Sequence, residues 1–308
     1  MKVQKKIRCK LDPPPRNACS TTNESPFRNA RPAFRGNLGQ VWQGDTKMAL
    51  PGFDEESFNY LGQEWPLYVK GVGPAVVIMH EVPGIYPEVA EFAEKVAEAG
   101  FTVFMPSLFG TPGKPFSATY AATQIARDCI RREFAAFEAN SSGPIADMLR
   151  SLCRYAHERC GGPGVGALGM CFTGNFALAL AVEPCVLAPV LSQPSLPIGA
   201  TAEARAGLHV SPAELETVKI RVQQEDLKVL GLRFTHDMMC PKAKFERLHE
   251  ELGEGFEGIE INSEPFNPHG LPLSAHSVLT RHLVDREGHP TRQALDTVLA
   301  FFRERLMA

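Results

Sequence analysis

Residues 164–181, GVGALGMCFTGNFALALA, decide the fold of this 308-residue chain. The opening run is small and apolar without polar alternation, as in a strand buried on both faces. Residues 175–181 then place apolar side chains at helical spacing. At the joint sits Gly169-Met170-Cys171-Phe172-Thr173-Gly174, close to the G-x-nucleophile-x-G elbow, in which small neighbours let a strained turn lift a nucleophile above a sheet. Cys171 would project from the first turn of the helix, where backbone N–H groups and the positive dipole end favour a thiolate. A structural cysteine packed in an apolar strand-helix joint is the alternative. Partners elsewhere in the chain have to separate the two.

Working outward, the same grammar repeats. Residues 58–62 and 65–71 alternate as an edge hairpin, and residues 74–81, PAVVIMHE, form a continuous apolar run suited to a buried strand. Residues 87–100 have helical spacing, opened by Pro87 and closed by Gly100, and residues 101–106 read as the next strand. Helices are expected over residues 119–139, 145–159, 212–224, 245–253 and 291–306, the last with a threonine cap. Strands are expected over residues 185–194, 227–234 and 256–262, and residues 195–211 read as a polar loop. Strands alternating with helices and no internal repeat predict a three-layer α/β sandwich around a mostly parallel sheet. Residues 1–52, rich in Pro, Asn, Arg and Ser, read as a poorly ordered extension, leaving residues 53–308 as the domain.

Composition narrows the function classes. A net charge of −3 from 32 basic and 35 acidic residues provides no field for nucleic acid or anionic lipid. Residues 1–20 lack the apolar core of a signal peptide, and no apolar run approaches the length of a membrane span. The eight cysteines contain no C-x-x-C pair, so reduced thiols are expected in a soluble cytoplasmic protein, a monomer or small homo-oligomer. No His/Cys/Asp pair has the short spacing of a zinc site, and neither metal nor cofactor is expected.

In such sheets chemistry collects at the carboxyl ends of strands. Glu81, Cys171 and Asp237 each follow an apolar run, and His269, His276, His282 and His289 follow the last strand. Nucleophile, acid, histidine is the chain order of α/β-hydrolases: a histidine takes the thiol proton, and a carboxylate fixes its tautomer.

Four motifs together resemble the dienelactone hydrolase family: H-E-x-x-G at residues 80–84, G-M-C-F-T-G at 169–174, H-D-x-x-C-P at 236–241 and A-H-S at 275–277. The resemblance runs from about residue 58 to the end. It implies a Cys171–Asp237–His276 triad, with Glu81 controlling thiol ionisation and the N–H groups of Val82 and Phe172 forming the oxyanion hole. His289, just before a helix start, competes with His276 as a plain turn residue.

Two departures stand out. Thr173 and Asn175 occupy positions where the family elbow has glycine and a small residue. Thr280 stands where the family has an arginine for the substrate carboxylate, leaving Arg281, and Arg127 on the helix over residues 119–139, as the substrate-binding candidates. The expected activity is hydrolysis of a small carboxylic ester or lactone through an acyl-enzyme. A ligand-binding protein that keeps the fold without catalysis, or an acyltransferase, are the alternatives.

Overall fold

The computed structural model describes residues 50–126, 143–196 and 201–307. Its strands are β1 (Asp54–Tyr60), β2 (Gln63–Lys70), β3 (Ala75–Met79), β4 (Thr102–Pro106), β5 (Val165–Met170), β6 (Val186–Ser192), β7 (Val229–Phe234) and β8 (Phe256–Ile261). Its helices are α1 (Pro87–Glu98), α2 (Ala118–Ile125), α3 (Pro144–Cys160), α4 (Gly174–Leu180), α5 (Ala202–Ala206), α6 (Pro212–Glu225), α7 (Lys242–Leu252) and α8 (Pro290–Leu306).

The strands form one eight-stranded sheet in the order β1-β2-β4-β3-β5-β6-β7-β8. β1/β2 and β2/β4 are antiparallel and every other pair is parallel. The continuous apolar runs follow from burial on both faces. In β3, Ala75, Val77 and Met79 enter the core shared with α3, α4 and α7, while Val76 and Ile78 enter the core shared with α1 and α8. A strand that alternated polar residues would put charge into one of these layers.

The sheet order creates the site. From β3 the chain turns to β4 on one side, then crosses to β5 on the other, so β3 and β5 are neighbours at the switch in strand order, where a crevice opens at the carboxyl ends. Met79 pairs with Gly169, which brings Glu81 and Cys171, each two residues further on, to the same level.

Several sequence expectations change in detail. Of the helix expected over 119–139 only residues 119–126 fall in the described part, where the helix runs Ala118–Ile125, and Arg127 lies outside it, as do residues 1–49 of the expected extension. Leu50, just before the expected domain start, is already buried, at 5% exposure. The polar loop before α6 contains the short helix α5, capped by Thr201, whose hydroxyl accepts from Ala204 N–H. The cap of α8 is His289 rather than a threonine: Pro290 takes the first helical position, and His289 Nδ1 accepts the Thr291 N–H at 3.3 Å.

One buried charge secures the helix that follows Cys171. Arg221 on α6 is 3% exposed, and its guanidinium donates to the carbonyls of Ala181, Glu183, Pro184 and Val186 at 2.6 to 3.2 Å. These carbonyls follow the C-terminus of α4, where positive charge complements the helix dipole. Arg221→Met leaves them without that donor in an apolar setting, and the expected loss is about 3 kcal/mol. Thermal denaturation should then show a fall of roughly 6–12 °C for a domain of this size. A melting temperature equal to wild type would show that water replaces the guanidinium without cost.

Candidate active site

The elbow is strained as its sequence suggests. Cys171 has φ of 56°, a left-handed conformation uncommon for a side chain with a Cβ. The turn is a short 3-10 segment, Cys171–Thr173, before α4 begins, rather than the first turn of the α-helix itself. Gly169 is required here, since a Cβ would stand 2.2 Å from the Thr173 carbonyl oxygen. Thr173 explains its own departure from glycine: its hydroxyl donates to the Met79 carbonyl at 2.8 Å and accepts the Met170 N–H at 3.0 Å. It thereby ties the ends of β3 and β5 together.

His276 comes to Cys171 from the segment between β8 and α8. Its Nδ1 lies 2.6 Å from Asp237 Oδ2, and Asp237 Oδ1 accepts the Met239 N–H at 2.9 Å. Its Nε2 is buried with no hydrogen-bond partner among the described residues. A ring nitrogen of His276, the Cys171 sulfur and a Glu81 carboxylate oxygen all lie within 4.8 Å of one another. With Nδ1 held by Asp237, Nε2 is the nitrogen left for the sulfur. Burial alone would lower the His276 pKa, but negative charge on Cys171 and Asp237 outweighs it and holds the imidazole well above 6.5.

Glu81, 2% exposed, is held by neutral donors. Tyr86 and Thr280 hydroxyls donate to Oε1, while Ser277 Oγ at 2.8 Å and Gln193 Nε2 at 3.4 Å reach Oε2. Thr280, read as a missing arginine, is therefore a ligand of Glu81. Burial and then the Glu81 charge push the Tyr86 pKa well above 10, keeping the phenol a donor. Cysteine, histidine and carboxylate are also zinc ligand types, yet both Glu81 oxygens are already engaged.

The other histidines take separate places. His282 Nδ1 accepts the N–H groups of His276 and Ser277 at 3.2 and 3.1 Å, shaping the loop from beneath. His269 and His289 pack ring to ring at 5.5 Å, and His289 caps α8. Arg281 is exposed and stacks on Phe116 with its guanidinium 3.6 Å from the ring centroid. Phe116 in turn meets Tyr86 edge-on, with ring centroids 5.9 Å apart. Sequence reading missed Tyr86, Gln193 and Ser277 as parts of this site, and named His282 only as a rival of His276. Ser277 lay inside the A-H-S motif and was the one with a signal; the others are brought in by folding.

A mostly parallel sheet with a sharp cysteine turn after its fifth strand, covered by helices on both faces, is the α/β-hydrolase class. The profile of the dienelactone hydrolase family matches residues 66–302, and the chain belongs to that family. It is thus a hydrolase acting on a small molecule. Solved structures share the fold at low identity. A Klebsiella pneumoniae protein assigned as a dienelactone hydrolase has a TM-score of 0.56 at 16% identity, over 82% of this chain and 98% of that one. The dienelactone hydrolase of Anabaena variabilis has a TM-score of 0.53 at 16% identity, over 83% and 99%. A metagenomic dienelactone hydrolase-like promiscuous phosphotriesterase has a TM-score of 0.51 at 16% identity, over 82% and 98%. No curated protein matches the chain by sequence. No helix of the described residues is long and apolar enough to cross a membrane.

His80, beside Glu81, carries a pH dependence. It is fully buried, its Nε2 accepts the Leu108 N–H at 2.9 Å and its Nδ1 donates to the Glu81 carbonyl at 3.1 Å, so the ring is neutral. Burial lowers its pKa from 6.5 to about 4, against a smaller opposing effect of the Glu81 carbonyl. The unfolded chain therefore protonates here first. The stability tied to neutral His80, about 3 kcal/mol, is complete above pH 6.5 and lost as pH falls toward 4. Denaturant titrations between these limits should show a shallower pH slope in His80→Gln than in wild type. Identical slopes would mean that His80 titrates normally in the folded protein.

Proposed function

We propose that this protein is a carboxylic-ester or lactone hydrolase that works through a Cys171–His276–Asp237 triad and an acyl-enzyme. The observation that carries the reading is the 2.6 Å bond from Asp237 to Nδ1, with the other imidazole nitrogen buried and a ring nitrogen of His276 within 4.8 Å of the Cys171 sulfur. In this mechanism His276 takes the thiol proton and the sulfur attacks the carbonyl carbon. The N–H groups of Val82 and Phe172 stabilise the oxyanion. Among the described residues Val82 N–H donates to no backbone carbonyl, which fits that role. His276 then gives its proton to the leaving alkoxide, and a water molecule, deprotonated by the same imidazole, cleaves the thioester. Glu81, within 4.8 Å of the sulfur, influences whether the thiol is ionised. In this reading the hydrolase domain takes in residues 53–308, with Leu50 packed against it, and the enzyme works in the cytoplasm.

Cys171→Ala should reduce turnover of a short aryl ester to background, a loss of about 10⁴-fold or more, with the fold intact. His276→Ala should cost several orders of magnitude and Asp237→Asn less, because the acid orients the imidazole and does not itself transfer the proton. His289→Ala should leave turnover little changed. Substantial activity in purified Cys171→Ala, or a larger loss for His289 than for His276, would overturn the assignment.

Substrate choice follows from Thr280. This residue donates to Glu81, so a substrate carboxylate is left to Arg281 and Arg127, and loss of one charge-assisted contact should cost about ten- to a hundredfold in preference for an anionic lactone. Neutral aryl esters should therefore be hydrolysed measurably. Comparing kcat/KM for such an ester and for a dienelactone in wild type, Arg127→Ala and Arg281→Ala checks this. A strong dienelactone preference untouched by either substitution would place the carboxylate elsewhere.

A further inference from the structure

Asn175, the second departure at the elbow, is 2% exposed and uses its whole amide. Its Nδ2 donates to the Phe172 and Ser195 carbonyls, both at 3.0 Å, and its Oδ1 accepts from Lys244 Nζ at 2.8 Å. Lys244 is 1% exposed, and a buried ammonium is costly unless its charge is used. Burial lowers its pKa to about 8, partly offset by Cys240.

The other end of this chain of contacts is the sulfur. Ser195, 1% exposed, lies just beyond β6. Its N–H donates to the Cys171 carbonyl at 3.0 Å and its hydroxyl to Cys171 Sγ at 3.3 Å. Ser195 therefore grips Cys171 by backbone and side chain at once, while Asn175 holds Ser195 by its carbonyl. A packing role needs neither the hydroxyl nor the lysine.

We propose that Ser195 is a further catalytic residue, whose hydroxyl donates to the Cys171 thiolate, and that Asn175 and Lys244 are positioning residues that hold it there. This rests on Cys171 being the nucleophile. The titratable groups around the sulfur are Glu81 and His276, with Asp237 behind the imidazole and Cys240 and Lys244 on the far side of the elbow. Ser195 is the neutral donor among them. During attack a sulfur lone pair forms the S–C bond and the carbonyl π pair moves to oxygen. Collapse expels the alkoxide with the proton from His276. Ser195 keeps its own proton throughout, and its hydrogen bond weakens as charge leaves the sulfur.

A donor of this kind has two opposed effects. It raises the thiolate fraction at low pH, and it makes each thiolate less nucleophilic. Removing it should move the midpoint of Cys171 ionisation up by about one pH unit, the smaller end of what a hydrogen bond to an ion provides. The thiolate fraction then falls about tenfold well below the midpoint while intrinsic nucleophilicity rises about threefold. The pH profiles of wild type and Ser195→Ala should therefore cross, with the variant about threefold slower on the acid side and about threefold faster on the alkaline side.

The test is the pH dependence of Cys171 alkylation by iodoacetamide, read at that cysteine by peptide mass spectrometry, together with kcat/KM for 4-nitrophenyl acetate. Ser195→Ala is the first variant and Lys244→Met the second, with a smaller shift in the same direction expected for the latter. Near-UV circular dichroism establishes that each is folded. A folded Ser195→Ala with the wild-type midpoint and no crossing overturns the proposal, even if it melts lower. Should Ser195→Ala not fold, an unmoved midpoint in Lys244→Met does the same. Cys171→Ala run alongside separates the two readings: activity there removes the cysteine mechanism, whereas its inactivity with an unmoved Ser195→Ala profile removes only the role of Ser195.

Discussion

The left-handed backbone of Cys171 is the constraint on which the site depends. A side-chain-bearing residue at φ of 56° costs on the order of 1 kcal/mol or more and persists only where its surroundings hold it. Three contacts do so. Gly169 lets the turn fold back to within 2.2 Å of where its own Cβ would be. The Thr173 hydroxyl fastens the turn to β3, and the Ser195 N–H fastens the Cys171 carbonyl to the loop after β6. The turn is thus anchored to both neighbours of β5. The same sheet order that makes the crevice also supplies the clamps.

A second organising feature is the division of labour between the two buried carboxylates. Asp237 is committed to the imidazole, whereas Glu81 gathers hydroxyls and an amide from separate parts of the chain. Ser277 and Thr280 belong to the irregular segment after β8, so their bonds to Glu81 draw that segment onto the end of β3. This is how a histidine on a long connection is placed with the accuracy of one on a strand: the loop is mobile in principle, but its polar side chains have their partners inside the scaffold. His282 adds to this by accepting the backbone N–H groups of His276 and Ser277. Burial, with nearby Arg281, holds its pKa near 4, so it remains an acceptor at neutral pH.

Thr280 shows why a substitution read from a motif can be right in position and incomplete in meaning. From the chain alone it is an arginine that is not there. In the fold it is a hydroxyl that donates to Glu81, while Arg281 is exposed and stacks on Phe116. Spacing tells which residue occupies a position, and only the packing tells which neighbour it serves.

The amino-acid sequence by itself determined the architecture, because burial on both faces of a central strand demands uninterrupted apolar runs such as those of β3 and β5, and because an elbow needs glycine before its turn. It also pointed to Glu81, Cys171 and Asp237, since groups at the carboxyl ends of parallel strands converge, whereas His276 among four loop histidines was singled out only by the resemblance of its A-H-S motif. The tertiary structure alone decided that His289 rather than a threonine caps α8, and that Tyr86, Gln193, Ser277 and Thr280 enclose Glu81. It also brought Lys244 from α7 to Asn175 behind the elbow. The physical reason is one of range. Periodicity and turn chemistry act between near neighbours in the chain, whereas hydrogen bonds such as Ser277 to Glu81, 196 residues apart, exist only after the sheet has brought their ends together.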